Sequence, residues 1–265
     1  METTYQHTAR VILSLFLGGT IFLGNSAAKA DPVSEMASFS VFGNIDLAQL
    51  ARTDLKTAHG PPMNNPRFLS VQSCYVVSRP PAQEIETMRK WNPTSHRELK
   101  VYLHSDIPGS ASPENFSRLR NAPDNSAVRS LVEKTKKLSP DLQISKEEAK
   151  KFTPSSDNGG AMPQSVASFW MNVLSGRARG FASGGTAAQP PYDHNGQPIR
   201  TNEELNGLLR ETGKIRQQFS SFLSGTGIGH SAGGKPEMYW ELLSVDDQGA
   251  VTGTWRGKRA FSVVP

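Results

Sequence analysis

The chain has 265 residues, 36% of them hydrophobic and 20% charged, with a formal net charge of +5. Its one cysteine, Cys74, cannot close an internal disulfide, so a cross-linked mini-scaffold is excluded and the fold must rest on an apolar core. The basic excess is spread along the chain and no recognisable nucleic-acid module accompanies it, which argues against a nucleic-acid partner.

Residues 1–30 read as a signal peptide. Arg10 precedes an apolar run from Val11 to Gly24, and Ala28-Lys-Ala30 supplies a small-x-small cleavage site. The run has fourteen residues, whereas about 20 are needed to span a bilayer core. Cleavage near Ala30 is therefore expected, with the mature chain starting at Asp31 in the periplasm or outside the cell. No later stretch approaches membrane-spanning length, so no transmembrane segment is expected after Asp31. Losing Arg10, Lys29 and Glu2 leaves a net charge of +4. That surface is ordinary for a solvated protein, and it also suits an anionic envelope surface as partner.

In residues 31–152 an N-terminal α+β region is expected. Ser38 to Asn44 alternates apolar residues and can extend, and Asn44 or Asp46 can cap a short helix carrying Leu47 and Leu50. Pro61, Pro62 and Pro66 impose a loop. Phe68 to Ser78 reads as a strand holding Cys74, Pro80-Pro81 as the start of a helix through Met88 and Trp91, and Glu98 to His104 as a half-buried strand. Ser112-Pro113-Glu114 opens a helical stretch in which Ala127, Val128, Leu131, Val132 and Thr135 recur at helical spacing, and Ser145-Lys-Glu-Glu148 fits a capping box. The lysines from Lys134 to Lys151 read as a solvated face rather than a polyanion site.

Residues 153–162, rich in Pro, Ser, Asn and Gly, form a candidate linker to a C-terminal region, 163–265. There Val166, Phe169, Trp170, Val173 and Leu174 mark an apolar helix face, with Gly176 placed to stop it. An irregular segment from Ala182 to Pro198 contains Asn195-Gly196. Thr201-Asn-Glu-Glu204 opens another helix with Leu205, Leu208 and Leu209; Gly213 offers an interruption before Ile215, Phe219, Phe222 and Leu223 continue the helical pattern. Met238–Val245, Ala250–Trp255 and Ala260–Val264 read as a three-stranded antiparallel meander. Helices in blocks and strands in blocks give α+β architecture, an antiparallel sheet packed with helices.

Gly229-His230-Ser231-Ala232-Gly233 resembles the nucleophile elbow of the lipase and esterase family, in which Ser231 would be the nucleophile. The resemblance covers six residues with Gly234. The chain departs from that family elsewhere: no histidine follows His230, only 34 residues follow Ser231, a Gly-rich segment precedes the elbow and Pro236 closely follows it. A different fold could supply His96, His104 or His194 as base. Gly227-x-Gly229-x-x-Ala232 mimics a dinucleotide fingerprint but lacks room for the βαβ unit that motif requires. Neither the histidines nor Tyr192 to Gly196 have metal-ligand spacing, and no metal or cofactor is expected. The sequence thus favours an exported binding or envelope-interaction protein enclosing an apolar small molecule, lined by Phe169, Trp170, Phe219 and Phe222. The alternative is a serine hydrolase using Ser231 in a non-standard arrangement.

Overall fold

The central sheet is built around one strand whose side chains alternate between core and outer face. In the computed structural model, which describes residues 31–52, 55–60, 70–107, 110–156, 160–211, 213, 236–245 and 248–257, that strand is Pro236–Val245. Its Met238, Trp240 and Leu242 are buried, while Tyr239, Glu241 and Leu243 are half-buried on the opposite side. This is the period-2 pattern of a sheet covered on one face by helices.

The chain divides into two compact units, one up to Asp46 and one from Leu47. In the first, α1 (Pro32–Phe39) is capped by Asp31, whose carboxylate accepts from the Val33 and Ser34 amides and from Ser34 Oγ at 2.7 Å. The extended segment expected over Ser38 to Asn44 is instead the end of this helix, up to Phe39, followed by bends. An acidic cap followed by proline at the first helical position starts the helix earlier than the alternation of Ser38 to Asn44 suggested.

The second unit opens with a short α2 (Leu47–Leu50) and a hairpin of β1 (Lys56–His59) and β2 (Val71–Cys74), in which Cys74 is buried. Next come α3 (Pro81–Lys90), 3-10 turns at Pro93–Ser95 and Arg97–Leu99, and β3 (Val101–Asp106). The strand read from residue 98 starts later because Lys100, at φ 48°, closes the preceding turn in the left-handed region. A 3-10 segment, Pro113–Asn121, leads to α4 (Ser126–Lys136) and α5 (Lys146–Ala149). The long helix α6 (Gln164–Gly184) turns back through Gly185–Ala188 into the hairpin β4 (Tyr192–His194) and β5 (Gln197–Ile199). Asn195 and Gly196 both have positive φ, as a two-residue hairpin turn of this sequence requires. Helix α7 (Thr201–Glu211) follows, then β6 (Pro236–Val245) and β7 (Gln248–Gly257).

The fold is α+β. The three-stranded antiparallel sheet has the order β3-β6-β7, so a strand from the first half of the chain supplies the third member. The expected strand Ala260–Val264 lies outside the described residues. The core takes Leu103, Phe116, Leu131, Ile144, Val166, Trp170, Trp240 and Leu242 from both sides of residues 153–162, and Met162 from within that segment. Both core indoles are matched: Trp240 Nε1 donates to Asn115 O at 2.9 Å, and Trp170 Nε1 to Thr135 Oγ1 at 3.0 Å.

Gly249 is where β7 meets α4 most closely. A Cβ there would stand 2.2 Å from Ala127 O and 2.8 Å from Ala127 C, both backbone atoms that cannot swing aside. Gly249→Ala should lower unfolding stability by about 2–4 kcal/mol through overpacking, read from urea unfolding.

Candidate functional site

One face of α6 carries Phe169, Asn172, Val173, Gly176, Arg177 and Arg179, at the spacing that stacks residues along a helix. Across from it lie α5 and the segment just after it, and together with Pro190 they bound a cleft of about 460 Å³. Its floor is apolar, formed by buried Phe169 and Val173 and by Gly176. Phe169 is held edge-on by Phe152 at 5.4 Å and by Trp170 at 5.4 Å between ring centroids. Trp170, about 100° further round the helix, lines a second depression of about 400 Å³ with Leu131, Leu142, Leu174 and the β7 residues Gly249 to Thr252. The two aromatics proposed from sequence are thus both core members and each borders a separate depression. Phe219 and Phe222, proposed with them, lie outside the described residues.

Arg177 lines both depressions. Its Nε and Nη2 donate to Glu148 Oε1 and Oε2, each at 2.8 Å, and Nη2 also donates to Gln143 O at 2.7 Å. Glu148 completes the predicted capping box: its Oε2 accepts from Ser145 N at 2.7 Å while Ser145 Oγ accepts from Glu148 N at 3.0 Å. On the other side, Gln189 Nε2 donates to Arg177 O at 3.0 Å, holding the returning chain against the helix. The sequence marked Glu148 only as a cap. Its partner stands 29 positions away, and no local pattern pairs them.

Gly176 was expected to end the helix, yet α6 runs on to Gly184. Burial of Ala178 and Phe181 rewards continuation beyond what the glycine costs. Gly180 and Gly184 have a packing reason to be glycine, since a Cβ would come within 3.2 Å of Ala188 O or 2.9 Å of Ala188 Cβ. Gly176 has none: among the described residues nothing lies within 4 Å of where its Cβ would be. The open space beside it is the cleft.

A second polar cluster sits on the outer face of the sheet. His104 Nδ1 and Glu241 Oε1 are 3.0 Å apart across the β3–β6 pair, both side chains largely shielded, and Tyr239 packs its ring 5.1 Å from that of His104. A carboxylate can only accept, so Nδ1 carries the hydrogen and Nε2 of the neutral ring is left with the lone pair. His96 differs: its Nδ1 faces Glu98 Oε1 at 3.2 Å, but its Nε2 accepts from Trp91 Nε1 at 3.1 Å. His194 is exposed on the β4–β5 hairpin. Ser231 and His230 lie outside the described residues. Among the described residues no group of three or more His, Cys, Asp or Glu side chains is placed to hold a metal ion, and no described helix is long and apolar enough to cross a membrane.

No family model matches this chain, and no curated protein or solved structure matches it either.

Burial is the largest single influence on the Glu148 carboxyl and pushes its pKa up. The Arg177 hydrogen bonds and charge, with the Ser145 contacts, together outweigh it and hold the group below the usual value of 4.5. A carboxyl lowered in the folded state contributes stability above its unfolded pKa and loses it as pH falls through the folded one. Glu148→Gln should therefore cost about 1–3 kcal/mol at pH 7. That difference should shrink as the pH is lowered through and below 4.5, as urea unfolding across the acid range would measure.

Proposed function

We propose that the chain is an exported binding protein, freed of residues 1–30 near Ala30, whose α6 cleft encloses an apolar small molecule. The observation that carries this reading is Gly176. A glycine inside a helix costs about 1 kcal/mol relative to alanine, and among the described residues no packing contact accounts for it, whereas a ligand seated against the helix backbone would. The cleft volume of about 460 Å³ falls within the range of small-molecule sites. Phe169 and Val173 supply the apolar contact, and the Glu148–Arg177 pair fixes the opposing wall.

Purified mature protein should bind the neutral fluorescent probe N-phenyl-1-naphthylamine with a Kd on the order of 1–10 μM. Gly176→Leu should weaken that binding at least about tenfold by filling the cleft. The same change should leave thermal stability equal or slightly higher, since leucine favours the helix. Unchanged probe binding by the variant contradicts the assignment to this cleft.

A second reading, a serine hydrolase using Ser231, is favoured by the His104–Glu241 pair. It supplies an oriented base and its acidic partner, the two members the elbow sequence alone could not provide. On this reading the mature protein cleaves short-chain nitrophenyl esters, and Ser231→Ala and His104→Gln each lower kcat by about 1,000-fold or more. Equal rates in native protein and Ser231→Ala remove it.

A further inference from the structure

We propose that the occupant of the α6 cleft is an anion with an apolar body, selected by Lys151 and Arg179; the inference rests on the binding reading above and adds the charge of the ligand. The lysines of the α4–α5 stretch are otherwise committed. Lys136 and Lys137 pair with Glu133, Lys134 with Asp141 at 3.2 Å, Lys146 with Asp193 at 3.7 Å and Lys150 with Glu147 at 2.7 Å. Lys151 has no such salt bridge among the described residues, and it lines the cleft. Arg179 also lines it without a carboxylate partner among the described residues, anchored only by Nη1 donating to Ala111 O at 3.2 Å. The acids of the cleft are already matched, Glu148 by Arg177 and Glu147 by Lys150.

The cleft therefore presents Lys151 and Arg179, neither in a salt bridge among the described residues, above a floor of Phe169, Val173 and Gly176, with the Lys151 charge also acting through space on the Glu147 carboxylate. Such a surface repels cations and gives neutral ligands no electrostatic gain. An apolar molecule bearing a carboxylate, sulfonate or phosphate gains both the apolar contact and the attraction. Lys151 follows α5, whose contact with α6 is at Arg177, while Arg179 lies three residues beyond Gly176 on α6. Each cation thus acts on the bound charge from a different wall.

Two probes of matched apolar body separate the charge from the cleft: 1-anilinonaphthalene-8-sulfonate, which is anionic, and N-phenyl-1-naphthylamine, which is neutral. Native mature protein should bind the sulfonate about tenfold tighter than the neutral probe at low salt, a preference that declines as salt is added. Lys151→Gln with Arg179→Gln should bring the two affinities together by weakening the sulfonate about tenfold. These side chains are exposed, so the double variant should keep the native unfolding midpoint. Equal affinity of native protein for both probes, with Gly176→Leu excluding both, overturns the anion preference while the cleft reading stands. Sulfonate binding that survives Gly176→Leu overturns it as surface adsorption, and failure of native protein to bind either probe overturns the binding reading itself.

Discussion

The bidentate ion pair between Arg177 and Glu148 is the constraint on which the site depends. Two charges taken largely out of water are costly unless every remaining hydrogen-bonding position is filled. Here they are well matched. Glu148 accepts two bonds from Arg177 and one from Ser145 N, and Arg177 also donates to Gln143 O. A four-residue helix such as α5 has almost no stability of its own. The planar guanidinium, which fixes direction as well as distance, docks it against the middle of α6 and so sets the width of the cleft.

What α6 contributes is rigidity. Ten of its side chains are buried, among them Val166, Trp170, Leu174 and Phe181, so the helix is anchored along most of its length. Trp170 is fixed further by its hydrogen bond to Thr135, and Phe169 by edge contacts on two sides. An apolar floor held this firmly is preorganised, so on the proposed binding reading a ligand settling on it would have little side-chain ordering to overcome. The glycines of the same helix divide by purpose. Gly180 and Gly184 admit the returning chain, whose Gln189 is tied to Arg177 O and whose Pro190 borders the cleft, and Gly176 leaves the backbone bare beside it.

Local signals in the sequence carried much of this. The capping box at Ser145, the apolar spacing of Ala127 to Thr135 and the strand at Met238 to Val245 each depend on residues a few positions apart, and each corresponds to an observed element, whereas the segment Ala182 to Pro198, read as irregular, holds the end of α6 and the β4–β5 hairpin. Pairings set by tertiary packing were not legible. Nothing in either segment announces that His104 stands opposite Glu241, or that Arg177 reaches Glu148. Gly176 misled as a stop signal because propensity yields to burial once the following turns can pack. Phe169 and Trp170 were legible as an apolar face. Their division between two depressions follows from the rotation of one residue along a helix whose neighbours had first to be known. Lys151 looked like its lysine neighbours, and it stands apart only when their carboxylate partners are seen.

The most direct measurement is a double-mutant cycle on the pair itself, comparing Glu148→Gln, Arg177→Met and the combination by urea unfolding of the protein at neutral pH. If the two side chains bind one another and hold α5 on α6, the coupling energy should be about 1–3 kcal/mol. A coupling indistinguishable from zero, with the single effects simply adding, would contradict the account.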